Sequence, residues 1–214
     1  MTRFAMLFVG LLLSTIAHAA QFEQGKHYDI IADTSSVRPE VKEYFSFYCP
    51  GCNAFEPVAQ SLAANLPDNV EFKKVHVDFL RAASPEIQNN LARAYLVAKS
   101  QGRGDDVASA IFNQIHRNHI AFANADDIRN LVLLHNIDAA TYDKAIKSFA
   151  VLTAVRQMKK EQTELTDRRV LSSVPMIVVN GKYKINNAVI DARNMERDMR
   201  ELIDYLLAKD LVQP

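Results

Sequence analysis

The chain has 214 residues, of which 49% are hydrophobic, and its 25 basic side chains are matched by 25 acidic ones. Balanced charge gives no indication of a nucleic-acid partner or of an anionic membrane surface. Two cysteines are too few for a small scaffold held together by disulfide bonds. The composition therefore predicts one large domain with an apolar core, or a domain that carries an insert.

The first twenty residues have the layout of an export signal. They read MTRFAMLFVGLLLSTIAHAA, with an early cation at Arg3, an apolar run, and the small-x-small close Ala17-His18-Ala19. A membrane anchor is the alternative, but a span needs about 20 apolar residues, and polar residues interrupt this run. We expect residues 1–19 to be removed by cleavage near Ala19, which leaves a soluble, exported protein.

A strand, a helix and a second strand are predicted next. The aromatic run VKEYFSFY (41–48) and the β-branched run VEFKKVHVDF (70–79) have the composition of strands. Between them, a helical pattern extends from Pro50 to about Leu66. This order with short connections predicts a βαβ unit, in which the two strands are parallel.

Helical patterns dominate the next eighty residues, from Ser84 to about Glu164. Ser84-Pro85 has the composition of a helix start, and Gly102 is a candidate helix end. The last of three further predicted helices is long. Candidate N-caps for these three helices are Asp105, Asn124 and Asp138.

Strand patterns return only near the C-terminus. MIVV (176–179) is followed by Asn180-Gly181, a strong hairpin signal, and then by KYKI. A last amphipathic helix has an apolar face formed by Met195, Met199, Leu202, Ile203 and Leu206. The order of elements predicts an interrupted α/β domain rather than two consecutive domains.

Both cysteines lie in one C-x-x-C motif, Cys49 to Cys52, which could be a staple, a metal or haem site, or a redox centre. As a staple, a Cys49–Cys52 disulfide would close a very small ring and stabilise the fold by only about 2 kcal/mol, against about 4.7 kcal/mol for a disulfide that closes a 100-residue loop. Zinc would need a second ligand pair. We interpret His116 and His119 as part of a solvated helix face, and haem attachment would need histidine where Asn53 stands. Redox chemistry fits the motif best.

Disulfide exchange requires a thiolate, so the site must stabilise negative sulfur. Cys49 falls at the junction from strand to helix, with Pro50 suited to the first helical turn. Unpaired N–H groups and the positive end of the helix dipole would then face its sulfur. We expect Cys49 to be the exposed nucleophile and Cys52, one turn later, to be the buried resolving thiol.

These motifs together resemble the DsbA family, periplasmic thiol:disulfide oxidoreductases of the thioredoxin superfamily. The resemblance covers essentially the whole mature chain, through FSFYCPGC, the following FEP, KKVHVDF, the SVP triplet and VNGKY. It implies an α/β architecture, a thioredoxin fold interrupted by an inserted α-helical domain. Residues 20–78 and 163–214 would form the thioredoxin-like domain, and residues 79–162 the helical insert.

The resemblance also implies an activity and partners. The protein would introduce disulfide bonds into exported proteins by dithiol–disulfide exchange, with the Cys49–Cys52 disulfide as its redox group and no other cofactor or metal. Reduced, unfolded exported proteins would be the substrates, and a quinone-linked membrane oxidase resembling DsbB would restore the disulfide. The implied location is the periplasm, and we expect a monomer without a nucleic-acid partner.

Further site residues follow from the family positions. The proline matched by Pro175 is cis in the family and lies beside the disulfide, while Val174 would offer main-chain hydrogen bonds to an extended substrate. The family's buried acid and base near the thiols correspond to Glu43 and Lys74, with Glu56 as a further acid. Glu43 and Cys49 share strand parity, which allows both to lie on one side of the sheet. A surface ion pair is the alternative.

One residue between the cysteines departs from the family pattern. The family usually has histidine where this chain has Gly51, with Pro50 unchanged. An imidazole there can stabilise the Cys49 thiolate and make the disulfide more oxidising. The departure leaves the exchange reaction intact but puts the oxidising strength in doubt.

Two other functions compete with disulfide introduction. The first is an exported reductase or isomerase, which works mainly as a dithiol, although isomerases of this kind usually add a dimerisation domain for which the chain has no room. The second is a periplasmic chaperone or binding module with an incidental disulfide. The redox state of the purified protein distinguishes a reductase, found mostly as thiols, from an oxidase, found mostly as the disulfide. A chaperone or binding module would stay active after loss of both cysteines.

Overall fold

The computed structural model describes residues 22–211, so the predicted export signal lies outside the described residues. The strands are β1 Tyr28–Ile30, β2 Glu40–Phe45, β3 Glu71–His76, β4 Met176–Val179 and β5 Tyr183–Ile185. The helices are α1 Pro50–Asn65, α2 Pro85–Ser100, α3 Gly104–Phe112, α4 Ala125–Leu133, α5 Ala139–Ala145, α6 Phe149–Asp167 and α7 Met195–Leu211. Within this part of the chain, every helix is too short or too polar to cross a membrane.

One five-stranded sheet has the order β1-β5-β4-β2-β3. Strands β2 and β3 are parallel and flank α1 in sequence, which confirms the predicted βαβ unit. The other neighbours are antiparallel, and β4 and β5 form the predicted hairpin, with positive φ at Asn180 and Gly181. Strand β1 was not predicted, because its three residues are too few to display an alternating pattern.

The central strand β4 is buried on both faces, as its four consecutive apolar residues require. Ile177 and Val179 pack in one cluster with residues of α1 and α7. Met176 and Val178 pack on the opposite face, in a cluster that includes Ala92 of α2 and residues of α6. The predicted apolar face of α7 belongs to the first cluster, so α1 and α7 cover one side of the sheet.

Helices α2–α6 lie between β3 and β4 in sequence, as an insert would. Their apolar side chains form a third cluster, which also contains Phe45, Phe47 and both cysteines. The core of the helical region is therefore continuous with the C-x-x-C motif. Helix α6 runs to Asp167, so the predicted end of the insert at residue 162 falls within a helix, and the domain division itself stays a prediction.

Side-chain caps mark several helix starts. Ser84 Oγ accepts a hydrogen bond from Ile87 N at 3.2 Å, and Asn124 Oδ1 accepts from the amides of residues 126 and 127, as predicted. Asp105 is not a cap: Arg103 precedes α3, and Asp105 lies in its first turn. There its negative charge interacts favourably with the positive end of the helix dipole.

The long helix predicted after Asp138 is in fact two helices. Asp138 Oδ2 accepts a hydrogen bond from Thr141 N and caps the short helix α5. Ser148 then caps α6, accepting from Val151 N at 3.3 Å. The prediction of one helix was wrong because Ser148, an N-cap residue type, starts a new helix within a continuous helical pattern.

The packing of α7 on the sheet gives a stability prediction. Leu202 is fully buried in the α1–α7 cluster, so Leu202→Ala should lower the free energy of unfolding by about 3 kcal/mol through lost burial and a residual cavity. Urea unfolding measures this difference. The matched control is Leu134→Ala, since Leu134 is 82% exposed and its truncation should change stability by less than about 0.5 kcal/mol. Equal losses in both variants would contradict the described burial.

Candidate redox site

Cys49 is the N-cap of α1, and its backbone is extended, with φ −94° and ψ 116°. Its Sγ accepts a hydrogen bond from Cys52 N at 3.2 Å, in the way that a cap side chain satisfies an unpaired N–H group. Pro50 occupies the first turn, where its missing N–H costs nothing. The sulfur thus lies at the positive end of a 16-residue helix.

The two thiols have opposite acidities. A hydrogen bond from the Cys52 thiol, together with the amides of Cys52 and Gly51, lowers the pKa of Cys49 to about 6, although burial opposes this. The same hydrogen bond, with burial next in importance, raises the pKa of Cys52 far above the ordinary value. At pH 7 the reduced pair is therefore a Cys49 thiolate beside a Cys52 thiol.

Cys49 is less exposed than expected. It is 6% exposed and Cys52 is 0% exposed, so the predicted order is right, but the description of Cys49 as an exposed residue is wrong. The reason is the Val174–Pro175 segment, whose Val174 carbonyl lies 3.2 Å from Cys49 Sγ and accepts a hydrogen bond from the thiol. This bond is available only to the protonated sulfur, so ionisation removes it and leaves the hydrogen bond from Cys52 N.

The Val174–Pro175 peptide bond is cis, as the resemblance implied. Asn187 Nδ2 donates a hydrogen bond to the Pro175 carbonyl at 2.9 Å, a contact that no sequence pattern indicated. An apolar groove of about 290 Å³ begins beside Gly51 and Pro175. Its remaining lining residues are Ala54, Phe55, Asn187, Ile190, Met195 and Met199.

Gly51 lies in close contact with the proline segment. A Cβ at this position would be 3.3 Å from Pro175 Cδ and 3.8 Å from Cys49 Sγ. A side chain there would press on Pro175, which would have to move by a few tenths of an ångström. Because Gly51 has no side chain, this position places no charged group beside Cys49 and leaves the mouth of the groove open.

Glu43, Lys74 and Glu56 come together beneath the site. Glu43 pairs directly with Lys74 in the β2–β3 register, and Lys74 Nζ lies 3.2 Å from a Glu43 oxygen. Lys74 also donates a hydrogen bond to Glu56 of α1. All three residues are buried, so the alternative of a surface ion pair is wrong.

Burial and ion pairing oppose each other in this charged cluster. Burial raises the pKa of Glu43 to about 7, because the attraction of Lys74 only partly offsets desolvation and the repulsion of Glu56. Burial opposes the charge of Lys74, but Glu43 and Glu56 outweigh it and raise the pKa of the lysine. Lys74 lies within ion-pair distance of Glu43, but neither Glu43 oxygen accepts a hydrogen bond of good geometry within the described structure. Glu43 is therefore a carboxyl that can gain or lose a proton near neutral pH.

Two histidines contact the loop between β2 and Cys49. Phe47 N donates to His76 Nε2 at 3.2 Å, and His116 Nε2 lies 2.8 Å from the Phe47 carbonyl. The interpretation of a solvated helix face is wrong for His116, which packs against Phe112. His119 is exposed as predicted, but it lies in the loop after the helical turn, with φ 55°, so it is not part of a helix face. Among residues 22–211, no group of three or more His, Cys, Asp or Glu side chains could hold a metal ion.

Comparison with known proteins gives one consistent result. A family model described as a DSBA-like thioredoxin domain matches residues 40–202. The thiol:disulfide interchange protein DsbA of Escherichia coli K12 is 32% identical over 207 residues, covering 95% of this chain and 96% of that protein. DsbA of Haemophilus influenzae is 34% identical over 204 residues, covering 94% and 95%.

Solved structures give the same picture. The chain is similar to a Proteus mirabilis DsbA variant with a cysteine replaced by serine, solved with the non-covalently bound peptide PWATCDS. That structure has a TM-score of 0.75 and 32% identity, and the match covers 88% of this chain and all of that one. Pseudomonas aeruginosa DsbA is similar at 28% identity, with a TM-score of 0.72 and coverage of 90% and 96%.

The raised pKa of Glu43 predicts a pH-dependent stability. The folded state keeps a proton that the unfolded chain releases between the ordinary carboxyl pKa of 4.5 and about 7, so stability falls as pH rises through this window. Glu43→Gln removes that penalty. Relative to the parent, the variant should gain stability of the order of 3 kcal/mol across the window.

Urea unfolding of parent and variant at a series of pH values measures this gain. The control is Glu71→Gln, since the Glu71 side chain is 60% exposed and its variant should follow the parent at every pH. Parallel profiles for Glu43→Gln and the parent would contradict the raised pKa.

Proposed function

The chain belongs to the family of DsbA-like thioredoxin-domain proteins, and we propose that Cys49 is its nucleophile and Cys52 its resolving thiol. As a member of this family it is a thiol:disulfide oxidoreductase that introduces disulfide bonds, acting through a redox-active cysteine pair. The observation that carries the role assignment is the opposite acidity of the two thiols, with Cys49 at about pKa 6.

Oxidation of a substrate takes two exchange steps. A substrate thiolate attacks Cys49 Sγ of the oxidised protein, forms a mixed disulfide and releases the Cys52 sulfur. A second substrate thiolate then attacks its partner sulfur in the mixed disulfide and releases Cys49 as a thiolate. The substrate has lost two electrons and the cysteine pair has gained them. Because the low pKa of Cys49 makes it a good leaving group, the second step is favoured.

The released Cys52 sulfur needs a proton, since the pKa of this thiol is raised. We assign the supply of that proton to the buried cluster of Glu43, Lys74 and Glu56. Two observations support this: the pKa of Glu43 is about 7, and the charge of Glu43 acts on Cys52 directly. On reoxidation the proton returns by the same route.

The substrate is an extended, reduced segment that lies along the proline loop. Val174 supplies main-chain hydrogen bonds to it, and the apolar groove beside Gly51 takes a neighbouring side chain. Support comes from the position of both features next to Cys49 Sγ. Unfolded exported proteins fit this description, because a folded protein does not present such a segment.

The setting of this reaction is the periplasm, after cleavage of the leader near Ala19. The composition of residues 1–19 supports export, and the family supports an oxidising compartment. A quinone-linked membrane oxidase resembling DsbB would restore the Cys49–Cys52 disulfide, and the protein would act as a monomer.

The roles of the two cysteines can be tested with single variants. Cys52→Ser should accumulate mixed disulfides through Cys49 when the protein is mixed with a reduced, unfolded substrate, because the resolving thiol is missing. Cys49→Ser should form none and should abolish substrate oxidation. Non-reducing electrophoresis with mass spectrometry identifies the adducts. Adducts through Cys52 in the Cys49→Ser variant would reverse the assignment.

The departure at Gly51 can be tested in the same way. Gly51→His should lower the pKa of Cys49 below that of the parent, since an imidazole adds a donor or a positive charge beside the sulfur. A shift of about one unit would raise the reduction potential by about 30 mV. Ultraviolet absorbance of the thiolate against pH and equilibration with glutathione measure both quantities.

The matched control for this variant is Gly51→Ala, which introduces the Cβ near Pro175 without the imidazole. The alanine variant should stay close to the parent in both measurements. If the histidine and alanine variants behave alike, an imidazole at this position does not tune the thiolate.

A further inference from the structure

The loop before the nucleophile is held from two parts of the chain. Phe47 N donates to His76 Nε2, which belongs to β3 of the sheet. The Phe47 carbonyl contacts His116 Nε2 at 2.8 Å, and His116 belongs to the helical region between α3 and α4. Within the same loop, Cys49 N donates to the Ser46 carbonyl at 3.0 Å. The position of Cys49 therefore depends on contacts made two and three residues earlier.

The two imidazoles have opposite and fixed roles. Because an amide N–H can only donate, His76 Nε2 must be unprotonated, which agrees with its burial and with a pKa lowered to about 3. A carbonyl can only accept, so His116 carries its proton on Nε2. Phe47 thus has both of its peptide hydrogen bonds satisfied by histidines.

His116 is held in place by an unusual helical turn. Residues Asn113–Arg117 form a π-helical turn, in which Asn118 N donates to the Asn113 carbonyl at 2.9 Å. Such wide turns are rare and occur often at functional sites. The His116 ring lies 6.0 Å from Phe112, whose ring is in turn 5.0 Å from Phe47. The imidazole is therefore packed against the loop that it contacts.

We propose that His116 is a positioning residue for Cys49. By fixing the Phe47 carbonyl, its Nε2–H keeps Cys49 Sγ aligned with the N–H groups at the start of α1. The inference rests on the proposed role of Cys49 as the nucleophile. It gives the helical region a part in the chemistry, since an imidazole from this region acts on the loop while Gly51 offers no side chain between the cysteines.

Removing the donor should loosen the alignment of the sulfur. His116→Ala should raise the pKa of Cys49 by about half a unit and change the equilibrium constant with glutathione about threefold towards a weaker oxidant. His116→Gln keeps an N–H donor of similar reach, so it should restore both quantities to nearly the parent values. The control is His119→Asn, at an exposed position with φ 55°, which asparagine tolerates.

Thiolate absorbance against pH and glutathione equilibration are measured for all four proteins, with urea unfolding of the reduced forms alongside. A shift in His116→Ala that is absent in His116→Gln and in the control supports the proposal. If His116→Ala loses stability while Cys49 titrates as in the parent, the contact is only structural and the proposal is wrong. It is equally wrong if His116→Gln shifts as far as His116→Ala.

The parent protein separates this inference from the function on which it rests. If no thiol of the parent titrates below about pH 8.5, the value expected of an unperturbed cysteine, then the proposed role of Cys49 fails. If Cys49 titrates near pH 6 and the His116 variants leave it unchanged, only the inference about His116 fails.

Discussion

The hydrogen bond between the Cys52 amide and Cys49 Sγ is the contact on which the rest of the site depends. It exists because β2 ends at Phe45 and α1 begins at Pro50, which leaves the sulfur to act as the helix cap. A thiolate at this point accepts hydrogen bonds from the unpaired N–H groups of the helix. An uncharged disulfide sulfur is a much weaker acceptor. The reduced state is favoured for that reason, and a favoured reduced state is what makes a disulfide an oxidant.

The buried charged side chains near this contact have a large desolvation cost. Glu43, Lys74 and Glu56 are all buried, and at Glu43 the attraction of Lys74 only partly offsets desolvation. A structural salt bridge would be replaced by apolar residues at little loss. The cluster instead retains a carboxyl, Glu43 of β2, whose pKa is raised by burial to about 7 and whose charge raises the pKa of Cys52.

Local sequence patterns predicted the elements of the fold well where the pattern is long or the turn chemistry is specific. The βαβ unit, the Asn180-Gly181 hairpin and the Ser84 cap are examples. The three-residue strand β1 was missed, because its partner β5 lies over 150 residues away. The roles of His116 and Asn187 could not be predicted either, since both residues contact loops that only the tertiary fold brings to them.

The low exposure of Cys49 restricts the directions from which a substrate thiol can reach its sulfur. With 6% of its surface accessible and the Val174–Pro175 segment lying over it, the sulfur can be approached only from a narrow range of directions. A thiol on a rigid, convex surface cannot meet that approach, whereas a thiol on a flexible chain can adopt it at small entropic cost. The burial of this one sulfur therefore couples reactivity to chain flexibility, which agrees with the proposed unfolded substrates.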